Sequence, residues 1–170
     1  MLSRFGLLAL SALSFGPSVL PAQGQQPPRC DTPAHRQFDF WVGDWVVMSG
    51  SDTAGTNLVT LVEDGCILHE HWVGSKGGTG QSFNFYNRAD GKWHQLWVDN
   101  GGNVLTLAGT YADSALRYAG ETTRRNGNVI MQELSFTKNT DGTVRQFWRS
   151  SNDGGATWTV AFDGLYRKRK

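Results

Sequence analysis

Long apolar runs are nearly missing from this sequence. The one pronounced run, Phe5 to Leu13, falls short of the roughly 20 residues a membrane helix needs, so no membrane span is expected. An excess of one charge is missing too. Sixteen Lys and Arg face 15 Asp and Glu, for a formal net charge of +1. That balance leaves no electrostatic footprint for nucleic acid or an acidic polymer. The basic end, Arg167 to Lys170, is the only charge run and reads as a solvated tail. No helical period of useful length follows the N-terminal segment. No Gly-x-Ser-x-Gly turn is present to raise a nucleophile. The Gly-rich stretch Gly74 to Gly80 lacks the Gly-Lys-Ser/Thr order of a phosphate loop, and reads as a flexible connection near a barrel mouth.

What is present begins with a processing signal. Arg4 precedes the apolar run, small residues follow, and Pro21-Ala22 suits cleavage, so residues 1–22 read as a secretory signal peptide. Residues 23–34 read as a polar, Pro-rich linker, and 35–170 as a single domain. Pro27-Pro28-Arg29 ahead of Cys30 does not suit lipid acylation. The expected setting is periplasmic or secreted. The two cysteines, Cys30 and Cys66, then meet an oxidising compartment. A Cys30–Cys66 disulfide would staple the arm to a strand start; two free buried thiols are the alternative.

From His35 onward, short runs rich in Val, Trp, Phe, Tyr and Thr alternate with Gly, Asp and Asn clusters. Such clusters supply the positive-φ positions that tight hairpins need. The expected strands are 41–48, 56–63, 66–73, 81–88, 92–99, 103–111, 115–121, 128–137, 143–150 and 157–167. Ten consecutive antiparallel strands make an up-and-down meander, which removes its edges by closing into a barrel. A two-sheet β-sandwich is the alternative. The turn Ser151 to Trp158 resembles the Asp-box of sialidase propellers. Yet 170 residues hold strands for only two or three propeller blades, so it reads as one stabilised hairpin.

The segment Phe38 to Trp45 contains Gly43-x-Trp45, similar to the Gly-x-Trp signature of the first strand in calycin barrels: lipocalins, fatty-acid-binding proteins and nitrobindin-like haem proteins. That resemblance implies a calycin-like barrel, and a closing-strand cation over the Trp45 ring, with Arg149 or Arg167 as candidates. The run from Phe38 to Tyr166 also resembles a family of exported bacterial proteins of unknown function. The likeness lies in Gly65-Cys66-x-Leu68-x-Glu70-x-Trp72, Ser82-x-Asn84-x-Tyr86, Trp93-x-Gln95-x-Trp97-Val98-Asp99 and Ser151 to Trp158. Nitrobindin-like proteins ligate haem with a late histidine. The last histidine here is His94, so haem is not expected, and no other cofactor is.

Side chains alternate across a strand, which splits each strand into two faces. Between Ser82 and Asp99 one face carries Ser82, Asn84, Tyr86, Trp93, Gln95, Trp97 and Asp99. The other carries Phe83, Phe85, His94, Leu96 and Val98. An even-length loop at Asp90-Gly91 keeps the sets together, whereas a three-residue loop scrambles them. In the third strand Cys66, Leu68, Glu70 and Trp72 oppose Ile67, His69, His71 and Val73. Later, Val144, Gln146, Trp148 and Ser150 oppose Arg145, Phe147 and Arg149. Two readings follow. The polar-tryptophan face lines an interior pocket, with Trp45, Glu70, Trp72, Gln95, Trp97, Gln146 and Trp148 among its residues. Alternatively the Phe/Leu/Val face is a packed core, and the tryptophans form an outer surface for a protein or glycan partner.

The favoured expectation is an exported barrel that binds a small molecule, hydrophilic with some flat or sugar-like surface. A barrel hydrolase or isomerase using Glu70 and Asp99 as an acid–base pair is the second reading. His69, His71 and His94 are the weakest candidates, for a metal; His69-x-His71 resembles a cupin motif only in part, and no metal is expected.

Overall fold

The computed structural model describes residues 30–169. The expected signal peptide, residues 1–22, and most of the expected linker, residues 23–34, lie outside the described residues. Ten strands follow one another: β1 (Gly43–Ser49), β2 (Asp52–Val62), β3 (Ile67–Gly74), β4 (Thr79–Asn87), β5 (Lys92–Asp99), β6 (Val104–Ala112), β7 (Ala115–Thr123), β8 (Val129–Lys138), β9 (Val144–Ser151) and β10 (Thr159–Lys168). Each pairs antiparallel with its chain neighbours. β1 also pairs with β10, setting Trp45 opposite Lys168 and Met48 opposite Leu165. The meander is therefore a closed up-and-down barrel with no free edge, not a sandwich.

Turn chemistry sets the registers. β4 and β5 pair Asn87 with Lys92 across a four-residue loop, in which Gly91 takes φ 68°. That even length keeps the two faces of β4 and β5 in step. The β6–β7 turn has only two residues, Asp113 and Ser114, both in the left-handed region (φ 49° and 58°). This twist matches the twist of the strands it joins. The Ser151–Trp158 turn is organised by Asp153, whose carboxylate accepts from Thr157 N (2.9 Å), Thr157 Oγ1 (2.6 Å) and Ser151 Oγ (2.7 Å). These donors, the Thr157 hydroxyl first, hold the Asp153 carboxyl down at about 2.

The arm before β1 departs from its expected role. Residues Pro33–Arg36 and Asp39–Trp41 form two 3-10 turns, so the first strand starts at Gly43 rather than at 41. These turns plug one end of the barrel. Phe38 and Trp41 are fully buried, and His35 nearly so. Phe38 stacks on Trp41 at 4.8 Å and meets Trp93 edge-on at 5.7 Å. Trp41 lies 4.4 Å from Phe136, and its carbonyl accepts from Trp45 Nε1 at 2.8 Å. The start of the expected domain, His35 to Trp41, thus supplies part of the core as a plug rather than as strand, and closes an end that β-strands alone would leave open. A disulfide joins Cys30 to Cys66, and Arg36 donates to the Gly65 carbonyl, so the arm is tied to the corner before β3.

The basic end is also not a free tail. Lys168 belongs to β10, stands 4.0 Å over the Trp45 ring and donates to the Val42 carbonyl at 2.6 Å. It takes the place expected for Arg149 or Arg167. Parity explains the difference. Trp148 and Tyr166 face inward, so Arg149 and Arg167 point outward, and Arg149 pairs with Glu133 at 2.6 Å instead.

The disulfide closes a loop of 36 residues in sequence separation, which stabilises by about 3–4 kcal/mol in the chain-entropy account. The Cys30→Ser/Cys66→Ser double variant should therefore lose about that much in urea unfolding. A loss under 1 kcal/mol would mean the plug holds the arm without the bridge.

Candidate functional site

The inward face of the barrel is the polar-tryptophan face. Ser82, Asn84, Trp93 and Gln95 are buried, while Phe83, Phe85, Leu96 and Val98 on the opposite face are about 36–45% exposed. The alternative in which those apolar residues form the core is overturned. So is an outward tryptophan surface, because the tryptophans of β3, β5 and β9 face inward. The plug then divides the interior. On its side lie Trp45, Trp93, Tyr86, Tyr118 and Phe136; on the other side a cavity of about 230 Å³ remains.

Seven residues expected in a pocket do line this cavity: Glu70, Trp72, Gln95, Trp97, Asp99, Gln146 and Trp148. Five do not. Trp45 is sealed between the plug and Lys168. Trp93 donates from Nε1 to Gln37 Oε1 at 3.2 Å, and Tyr86 packs edge-on to His35 at 5.1 Å. Ser82 and Asn84 belong to the hydrogen-bonded network beneath the cavity. Leu105, Leu134, Ala161, Phe162 and Tyr166 line it without having been anticipated. Phe162 and Tyr166 were findable by alternation along β10. However, the register shifts between Val160 and Phe162, which hides the face from simple counting.

Pairing places the lining residues at graded depth. Glu70 pairs with Ser82, Ser82 with Trp97, and Trp97 with Leu105, forming one row. Trp72, Gly80 and Asp99 form the next row toward the open end. Glycines give the indoles room. A Cβ on Gly80 would sit 2.2 Å from the Trp97 ring, and one on Gly55 2.8 Å from the Trp72 ring. Both rings therefore lie over neighbouring backbone instead of standing into the cavity, a use of strand glycine that no turn requires. Trp72 meets Phe162 edge-on at 6.0 Å, and Trp148 Nε1 donates to Gln132 Oε1 at 2.7 Å.

Beneath the indoles sits Glu70, buried. Its Oε1 accepts from Asn57 Nδ2 at 2.7 Å and its Oε2 from Ser82 Oγ at 2.5 Å. The network continues from Asn84 Nδ2 to Ser82 Oγ (2.8 Å) and from Tyr118 OH to Asn84 Oδ1 (3.2 Å). Tyr166 OH donates to Gln146 Oε1. Among the described residues no cation stands beside Glu70, so burial dominates: it pushes the carboxyl up to about 7, against the two donors that favour its charged form. Asn57 Oδ1 has no partner among the described residues, and a half-turn of that amide would let it accept a hydrogen bond from the O–H of a protonated Glu70. Burial, followed by the Glu70 charge, raises Tyr118 and Tyr166 well above the ordinary phenol range, so both remain donors.

Asp99 behaves in the opposite way. Its Oδ1 accepts from the backbone N–H groups of Gly101 and Asn103, each at 2.9 Å. Its Oδ2 accepts from Asn103 Nδ2 at 3.0 Å. The Asn103 side-chain bond leads in lowering its pKa. Asp99 closes the β5–β6 turn at the cavity rim, a row away from Glu70. The histidines stand outside. His69 bonds Gln81 Oε1 at 2.7 Å, His94 bonds Asp90 at 2.8 Å, and His71 is exposed on the same outer side. Among the described residues no three His, Cys, Asp or Glu side chains gather as a metal site.

No protein-family model matches the chain. A comparison with curated proteins likewise finds no match.

Glu70 makes stability depend on pH. Below its ordinary value of 4.5 both folded and unfolded states are protonated. As pH rises toward 7 the unfolded chain ionises freely while the folded chain resists, so stability falls across that window. The full loss is on the order of 3 kcal/mol. Urea midpoints of the native protein should fall from pH 4.5 to 8 relative to those of Glu70→Gln. Parallel curves would mean that Glu70 titrates in the fold as it does in water.

Proposed function

We propose that the protein is an exported small-molecule-binding barrel whose ligand enters the cup formed by Trp72, Trp97, Trp148 and Phe162 over Glu70. The observation that carries this reading is the cavity itself: about 230 Å³ left open opposite the plug, aromatic on its walls and polar at its floor. Pockets of this make-up, mostly apolar with a few convergent polar groups, are the usual form of small-molecule sites. The exported setting rests on the N-terminal pattern from Arg4 to Ala22 and on the Cys30–Cys66 disulfide. The likeness to calycin barrels is in keeping with this reading.

The test is native mass spectrometry of the protein exported into a periplasm, compared with the denatured protein. A small molecule that leaves on denaturation supports the reading and identifies the ligand. Trp97→Ala should retain the fold by circular dichroism and bind that molecule at least tenfold more weakly, as expected for an aromatic contact in a ligand pocket. Unchanged affinity in Trp97→Ala would move the site away from this cup.

One observation favours a second reading, in which the barrel is a hydrolase or isomerase. A carboxyl raised to about 7 faces a cavity that a lowered carboxyl, Asp99, also lines. Two carboxyls whose environments push them apart are the arrangement that acid–base chemistry uses. Under this reading Glu70→Gln binds the native-mass ligand with near-native affinity but does not turn it over. Surviving turnover removes Glu70 from the chemistry.

A further inference from the structure

Resting on that binding reading, we infer that the cup takes a small organic cation: a protonated amine with an apolar or aromatic body, its ammonium group at Glu70 and Gln95 and its body among the indoles.

Charge is the first argument. Glu70 and Asp99 line the cavity, and among the described residues no Lys, Arg or His does. An anion would enter against two carboxylates with no counter-charge. A neutral, sugar-like molecule would bring no counter-charge for an ionised Glu70, and the carboxyl would then keep its proton up to about 7. A cation supplies that charge where desolvation makes it count most.

Hydrogen bonding is the second and independent argument. Gln95 is only 3% exposed, lines the cavity, and has no hydrogen-bond partner among the described residues. Its amide is not one of the sealed, unpartnered polar groups among the described residues, so it opens onto the cavity, where whatever fills that space must satisfy it. Its carbonyl can accept an ammonium N–H. Each Glu70 oxygen already accepts one protein donor and retains capacity for another. Ammonium, with several N–H donors and no acceptor, suits a floor whose open positions include these acceptors.

The walls are the third. Trp72, Trp97 and Trp148 with Phe162 present aromatic surface around the open end, and indole is the best partner for a cation over a ring. The volume sets the size. The cup, about 230 Å³ and open at one end, has room for an arylalkylamine.

The test titrates the full exported chain, disulfide intact, at pH 7.5 with three probes of similar shape, followed by tryptophan fluorescence and calorimetry. The probes are 2-phenylethylammonium, neutral 2-phenylethanol and anionic 3-phenylpropionate. The expected result is saturable binding of the ammonium at least tenfold tighter than the alcohol, with the carboxylate weakest, in line with a desolvated cation–π and charge contact. Glu70→Gln should bring ammonium and alcohol together. Gln95→Met, which keeps the volume and removes the amide, should weaken the ammonium more than the alcohol; it serves if Glu70→Gln does not fold. Equal or tighter binding of the alcohol or the carboxylate overturns the cation assignment and leaves the small-molecule reading standing. Absence of all three at 10 mM also overturns it, and native mass spectrometry then decides separately whether the cup holds anything else.

Discussion

Closure of the hydrogen-bonded ladder between β1 and β10 is the constraint on which everything else depends. A ten-strand meander with two free edges would be an aggregation template; pairing Trp45 with Lys168 removes both edges at once. Closure has a geometric consequence. Interior width grows with strand number, and about eight strands already give an interior that side chains just fill. Ten strands enclose more than their own side chains occupy. The surplus is taken up unequally. At one end Phe38 and Trp41 fill it from the arm; at the other it remains as the cup.

The plug packs its side of the barrel with buried aromatic rings, which gives the buried carboxylate its character. Glu70 sits between packed aromatic rings on one side and the cavity on the other. It has donors but no counter-charge, so burial outweighs hydrogen bonding and its proton is held near neutrality. Asp99, only one row nearer the mouth, keeps access to backbone N–H groups and stays ionised. The two carboxyls differ because depth differs, not because their residue types do.

The outside of the barrel is divided as well. β2 to β6 present Leu58, Phe83, Leu96 and Val98 outward, whereas β7 to β10 present ion pairs such as Arg145–Asp163 at 2.8 Å and Arg149–Glu133 at 2.6 Å. On β4 and β5 the outer face carries Phe83, Phe85, Leu96 and Val98 while Ser82, Asn84 and Gln95 lie within, the reverse of the usual sense, although the core as a whole remains mostly apolar. The interior can be polar here because its groups bond one another, from Asn57 through Glu70, Ser82 and Asn84 to Tyr118.

Alternation and turn residues are local properties, and they carried far. All ten strands were legible from runs such as Trp93 to Asp99 between glycine turns, and so was the grouping of Glu70, Trp72, Gln95, Trp97, Gln146 and Trp148 on one kind of face. Which face points inward was not legible, since pleating is symmetric until the ladder closes and one side is enclosed. The plug was hidden because Pro33 to Trp41 has neither strand nor helix period, and its burial comes wholly from the ring into which it inserts. Arg149 was misplaced against Lys168 because one residue of register reverses a side chain. Residue order thus determined the strands and their two faces. Only the closed tertiary structure decided which face is interior, how deep Glu70 lies, and that a cavity remains opposite the plug, because these depend on the separation between strands far apart in the chain.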